Sequence, residues 1–217
     1  FDWACELEDG IKDSEFIELN GVGHLFYMNE SKFIMEKILE FVGKNQPPES
    51  VAENNRVLST VLFNDIVNST QLQFELGDSQ WKEKILEFNR LCKEQIASFD
   101  GTFVKSMGDG ILATFDGPSR AINCACMINE GVRSLGLAVR SGLHVGEIEK
   151  IDEDISGINV NAAARIQALA KGGQVLVSEV LKSLVFGSGI EFGDFGAHHF
   201  KGFDAKWNLY QVKLVKV

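Results

Sequence analysis

Proline, cysteine and positive charge are all in short supply in this sequence, and each shortage narrows what the chain is. The 217 residues include 3 prolines and 45% hydrophobic residues, which reads as a globular chain burying one good core with room for a small appendage. Its four cysteines, Cys5, Cys92, Cys124 and Cys126, have neither a C-x-x-C spacing nor nearby histidines, so a zinc site is not expected. A reduced, cytoplasmic compartment suits that pattern. Lys and Arg total 21 against 31 Asp and Glu, a formal net charge of -10 that argues against a nucleic-acid partner, because phosphate backbones are bound by basic surfaces. No apolar run approaches the roughly 20 residues of a membrane helix, and no basic-plus-apolar leader opens the chain, so no membrane is expected. The first residue is Phe1 rather than Met, which suggests a piece of something longer. With so few cations, an anionic substrate would need metal ions or a few focused Lys and Arg side chains.

What is present is unevenly distributed. Residues 1–45 carry 10 acids and 4 bases. The segment KNQPPES at 44–50 then breaks the pattern as linkers do, giving an amino-terminal segment (1–45), a linker (46–56) and a main domain (57–217). In the first segment EFIEL (15–19) reads as a strand and NGVGH as a glycine-rich turn. Ser31 caps an expected helix with Ile34, Ile38, Phe41 and Val42 on one face. This strand, turn and helix resembles the carboxyl-terminal end of an α/β-hydrolase domain, with His24 at the triad-histidine position. No G-x-S-x-G elbow occurs anywhere in the chain, so a Ser-His-Asp hydrolase cannot be assembled from it, and His24 reads as a turn residue.

The main domain alternates strands and helices. VLSTVLF (57–63) is apolar nearly throughout, as a central strand covered on both faces would be, and Asn68, Ser69 and Thr70 are capping candidates for the next helix. That helix carries Trp81, Ile85, Phe88, Cys92, Ile96 and Phe99 at three- and four-residue spacing. A hairpin follows from Thr102 to Phe115, turning at Gly108-Asp109-Gly110, and then a helix from Pro118 to Leu135. LAVRSGLHVGEIE (137–149) reads as strand, turn and strand, INVNAAARIQALA (158–170) as a helix, and QVLVS (174–178), IEFGDF and KWNLYQVKLV as strands. The expected fold class is α+β, a ferredoxin-like βαββαβ sandwich with a short strand-turn-helix appendage at the amino terminus.

Taken singly, the charged residues of this scaffold have ordinary explanations. Asp109 before Gly110 suits a type I′ hairpin turn, Asp65 suits a helix cap, and Lys105 suits a side chain snorkelling from a strand edge. Asp154, in the acidic stretch IDEDIS, suits solvated surface, and Asn161 with Arg165 suits a polar stripe on a helix.

Together they point elsewhere. FNDIVNST, VKSMGDG and DISGINVNAAAR, in this order and at these separations, resemble the catalytic domain of the class III nucleotide cyclases, from about residue 57 to the end. The resemblance implies an adenylyl cyclase that turns ATP into 3′,5′-cyclic AMP and pyrophosphate. Two divalent ions, Mg²⁺ or Mn²⁺, would be held by Asp65 and Asp109 with the backbone carbonyl of Ile66. Lys105 and Asp154 would read adenine, since its N1 accepts and its 6-amino group donates; guanylyl relatives present a glutamate and a cysteine or similar small residue there. Arg165 would stabilise charge on the α-phosphate and Asn161 would orient the ribose. The family's site lies between two domains, and this chain carries both half-sets, so a head-to-tail homodimer with two shared sites is implied. One departure stands out: where many relatives read K-G-K-G this chain reads KGFDAKW, with Phe203 at the second lysine, leaving open whether Lys201, Lys206 or neither serves the phosphates. His144 and Glu147, in HVGE, match the family without an assigned role. A guanylyl cyclase, or a dimerising domain that senses nucleotide without turning it over, remain the alternatives.

Overall fold

The apolar run at 57–63 is the middle of an 11-residue strand, β1 (Arg56–Ile66), in the computed structural model, which describes residues 10–12, 14, 36–41 and 55–213. Val61 and Leu62 are neighbours in the strand, point to opposite faces and are both fully buried, so β1 is covered on both sides. The chain divides into two units, Phe1–Glu53 and Asn54–Val217. In the first, a helical stretch spans 36–41; the expected strand at 15–19, His24 and Ser31 lie outside the described residues.

The second unit continues with α1 (Ser69–Leu76), α2 (Asp78–Ser98), β2 (Thr102–Ser106), β3 (Gly110–Phe115), α3 (Pro118–Gly131) and a 3₁₀ turn (Val132–Leu135). It closes with β4 (Val139–Ile151), β5 (Asp154–Ser156), α4 (Ile158–Leu169), β6 (Val175–Ser178), α5 (Glu179–Leu184), β7 (Phe192–His199) and β8 (Lys206–Val212). The sheet runs β2-β3-β1-β4-β6-β8-β7, with β5 hung on β4, and β4 with β6 is its one parallel pairing among the described residues. β1, α2, β2, β3, α3 and β4 make the expected ferredoxin-like unit. Phe88, Cys92 and Ile96 of α2 and Ala121, Ile122 and Ile128 of α3 pack with Leu62, Ile111 and Leu143 on one face. Val160 and Ala163 of α4 pack with Val61, Leu112 and Ile148 on the other. Each large aliphatic or aromatic side chain buried in these layers contributes roughly 1.5–3 kcal/mol. Among the described residues no helix is long and apolar enough to cross a membrane.

Several elements differ from the sequence reading. The helix expected to follow Asn68 is two helices, because Gly77 takes φ +75°, a left-handed conformation that ends α1 before Asp78 opens α2. Asn68 stands at the head of α1 with its own backbone left-handed, and no side chain there makes a capping hydrogen bond. The second long helix ends at Gly131 and finishes as the 3₁₀ turn. The expected strand, turn and strand at 137–149 belong to the single 13-residue β4. Its Gly142 and Gly146 are not turn residues; they admit α4. IDEDIS is not simply solvated loop, since Asp154–Ser156 pairs with the end of β4. α5 was not anticipated, although Ser178 caps it by accepting from Leu181 N–H at 3.4 Å.

Candidate active site

Strand ends bring the backbones of the two expected aspartates side by side. Asp65 lies opposite Gly110 across the β1–β3 ladder, and the Ile66 N–H donates to the Asp109 carbonyl at 3.0 Å, clamping the hairpin tip to the end of β1. The tip is not a type I′ turn. Gly108 alone takes the left-handed conformation, at φ +89°, and Met107 N–H closes the turn on the Gly110 carbonyl at 2.8 Å, so Asp109 is the second of the two residues that this bond encloses.

Asp65 faces the α4 side of the sheet, and so does Arg140, opposite it on β4. Arg140 donates through Nε at 3.0 Å and Nη2 at 2.6 Å, both to Asp65 Oδ2. Oδ1 of Asp65 and the carboxylate of Asp109 have no partner among the described residues. Two carboxylates with open oxygens form a hard-oxygen set too small to enclose an ion, and no group of three or more His, Cys, Asp or Glu converges among the described residues. Such a set fits Mg²⁺ or Mn²⁺ bound partly through substrate phosphates. Just beyond, Ile66 and Val67 commit their N–H groups to Asp109 and Ala138, while those of Asn68, Ser69 and Thr70 at the head of α1 are unpaired among the described residues.

Lys105 reaches the same face through an irregularity. Phe103, opposite Ala113, packs with the α2 and α3 layer, and regular alternation would return Lys105 to that layer two residues on. A β-bulge between Phe103 and Lys105 inserts Val104, so Lys105 falls opposite Leu112 on the α4 side. There its Nζ meets Asp154 Oδ2 at 2.5 Å, and Asp154 Oδ1 accepts from the Ile155 N–H at 2.8 Å. The hydrogen bond from Lys105, helped by that amide, holds the Asp154 carboxyl below its ordinary range. Both side chains stay about half exposed, 45% and 51%, and Asp154 lines a groove together with Phe103, Val104 and Ile155.

Asn161 and Arg165 project from the exposed side of α4, away from the Ala162, Ala163 and Ile166 positions that meet the sheet. Neither side chain has a hydrogen-bond or ion-pair partner among the described residues, Asp65 and Asp109 included. The chain thus sets Asp65 and Asp109 on neighbouring strand ends, joins Lys105 to Asp154, and leaves the third pair facing outward. Phe203 packs edge-on against Trp207 and Phe200, with ring centroids 5.3 and 5.9 Å apart, which accounts for an aromatic where a second lysine was expected. Burial pushes the Cys124 thiol up to about 12 and Cys126 up to about 11, so neither supplies a thiolate nucleophile. Arg140 was outside the expected set. Only the register of β4 on β1 reveals it, since 75 residues separate it from Asp65 in sequence.

A ferredoxin-like sandwich with paired carboxylates at adjacent strand ends, and a lysine–aspartate pair on the neighbouring ribbon, has the frame of a nucleotide cyclase domain. The family model of the adenylate and guanylate cyclase catalytic domain matches residues 51–214, and the chain belongs to that family. A putative adenylate cyclase 3 of Rhizobium meliloti is 28% identical over 164 residues, covering 71% of this chain and 28% of that protein. An adenylate cyclase of Lachancea kluyveri is 30% identical over 186 residues, covering 70% of this chain and 10% of that protein. The chain therefore spans less than a third of the length of these two relatives. Among solved structures, an adenylate/guanylate cyclase/hydrolase from Silicibacter pomeroyi superposes with a TM-score of 0.66 at 28% identity, covering 72% of this chain and 96% of that one. The adenylyl cyclase CyaB of P. aeruginosa, at 24% identity and a TM-score of 0.67 over 74% of this chain and 96% of its own, shares the fold.

Proposed function

We propose that the chain is an adenylyl cyclase that converts ATP to 3′,5′-cyclic AMP and pyrophosphate at two sites shared across a homodimer. The observation that carries this reading is the Lys105–Asp154 pair, a donor and an acceptor set side by side on the open sheet face. Adenine presents the complement, an acceptor at N1 and a donor at the 6-amino group. In the reaction the 3′-oxygen bonds to the α-phosphorus as the bond to the pyrophosphate oxygen breaks, so the protein has to hold geometry and charge rather than form a covalent intermediate. Asp65 and Asp109, with the Ile66 carbonyl, would hold two divalent ions, which when bound acidify the 3′-hydroxyl and neutralise the triphosphate. The free amides of Asn68, Ser69 and Thr70 would take phosphate oxygens at a helix start. Arg165 would meet charge building on the α-phosphate, and Asn161 would orient the ribose.

Sharing between chains is supported by direction. Asp65 lies on the sheet face, whereas Asn161 and Arg165 leave the far side of α4, so a second copy would supply the pair that one chain turns away. Purified protein given ATP and Mn²⁺ should yield cyclic AMP on chromatography. No product at high protein concentration would sink the enzyme, and a larger yield of cyclic GMP with GTP alongside would reverse the purine assignment. Asp65→Ala and Arg165→Ala chains, each inactive alone, should together recover about a quarter of wild-type activity, because half the dimers are mixed and each has one intact site.

A further inference from the structure

Gly142 and Gly146 mark where α4 lies on β4. A Cβ at Gly142 would come within 2.1 Å of the Gln167 backbone nitrogen, and one at Gly146 within 2.4 Å of Asn159 Cγ. These contacts are four residues apart on the strand and eight on the helix, about 13 Å of strand against about 12 Å of helix, so α4 runs back along β4 and meets it at both ends. Between the two notches, on the same face, lies His144, which is 4% exposed and covered edge-on by Trp207 at 5.0 Å.

Both ring nitrogens of His144 are engaged. Nδ1 is 2.8 Å from Ser178 Oγ and Nε2 is 3.1 Å from Asn159 Oδ1. Asn159 Nδ2 donates to the Glu147 carbonyl at 2.8 Å, which turns Oδ1 toward the ring. That oxygen only accepts, so Nε2 carries the hydrogen and Nδ1 accepts from the Ser178 hydroxyl. Ser178 accepts in turn from Leu181 N–H at the start of α5. The chain of hydrogen bonds runs in one direction, from α5 through His144 to the first turn of α4 and back to β4, with each donor matched.

We propose that His144 and Asn159 are positioning residues of the cyclase, a latch that fixes the height and rotation at which α4 presents Asn161 and Arg165. This rests on the reading that those two residues serve the reaction. The sheet side of α4 carries Ile166 and Gln167 toward its end but only Val160, Ala162 and Ala163 in its first half, short side chains that interlock weakly, so packing alone holds the half bearing Asn161 poorly. A displacement of about 1 Å at a positioned group costs about 10²-fold in rate.

The test uses the whole 217-residue chain. Asn159→Leu removes both side-chain hydrogen bonds at similar volume, and Asn159→Thr restores a hydroxyl that accepts and donates. We expect Asn159→Leu to lower kcat by about 10- to 100-fold with the KM for ATP within about threefold of wild type, and Asn159→Thr to recover much of the loss. Imidazole ¹⁵N shifts should report the Nε2–H tautomer of His144 whether or not product forms. The proposal is overturned by unchanged kcat in Asn159→Leu, by a loss that tracks a fall in Tm, or by the Nδ1–H tautomer. Arg165→Ala separates the two readings: full activity there removes α4 from catalysis and leaves the tautomer result intact.

Discussion

The β2–β3 ribbon carries two of the proposed site residues, and they are placed in opposite ways. At its tip, Asp109 is placed by regular structure: an uninterrupted β1–β3 register and one clamping hydrogen bond from Ile66, next to Asp65, which an ion pair fixes to Arg140. Four residues earlier, Lys105 is placed by a defect in the same ribbon, the bulge at Val104 that re-aims it toward Asp154. Asp65 is 22% exposed, whereas Lys105 and Asp154 are about half exposed. A reaction that concentrates charge at one end and reads a flat base at the other has use for both constructions. On the proposed reading the carboxylate end needs rigidity, because its task would be to hold charge at a fixed separation. On the same proposed reading the Lys105–Asp154 end needs access, because a purine edge would have to displace the contact the two side chains make with each other.

The largest effect that separates the two ends should come from Asp109→Ala, which we expect to lower kcat about 10³-fold, near the upper end of what loss of one charge-stabilising group costs. A steady-state assay with Mn²⁺ measures it, and a loss under tenfold would remove Asp109 from the reaction. At the other end, Lys105→Glu combined with Asp154→Cys should shift the ratio of ATP to GTP turnover by about 10²-fold toward GTP while leaving a working enzyme. Competition between the two nucleotides reads this directly, and an unchanged ratio would place base reading elsewhere. Arg140→Gln should act more mildly, lowering kcat about tenfold by freeing Asp65 Oδ2 from its orienting partner. Metal titration should then show a changed Mn²⁺ requirement if Arg140 sets the carboxylate's geometry.

The smallest effect is on stability. Burial lowers the His144 pKa below its ordinary 6.5, with the Asn159 hydrogen bond opposing that shift. The unfolded chain therefore binds a proton that the folded chain resists, and stability rises with pH over that window. This contribution is fully present above pH 6.5, falls as the pH drops below it, and stops changing once the pH is under the lowered value. Thermal melts from pH 8 to pH 5 should show the fall, and His144→Asn should flatten it; an identical slope in that variant would exclude His144 as the source.

Much of this was legible in the sequence, for identifiable reasons. Trp81, Ile85, Phe88, Cys92 and Ile96 declare a helix face because a 3.6-residue period survives any context, and VLSTVLF declares a strand covered twice. What misled was glycine. Gly142 and Gly146 look like a turn in LAVRSGLHVGEIE, yet they lie within one strand, and their missing side chains are filled by Gln167 and Asn159 of a helix that arrives later in the chain. Periodicity has no term for a neighbour that is distant in sequence. The break at Gly77 was legible in principle, since Leu-Gly-Asp combines a helix end with a helix start.

The sequence by itself determined the fold class, the order of the main strands and helices and the motifs that resemble the cyclase family, because these follow from local periodicity and from patterns carried along one chain. Tertiary structure decided which face each of those residues occupies. The bulge that turns Lys105 over, the register that sets Arg140 against Asp65, and the latch from His144 to α4 all depend on pairing between segments far apart in the chain. A shift of one residue in a strand exchanges its faces, and no local pattern records that shift when the strand is short and half exposed.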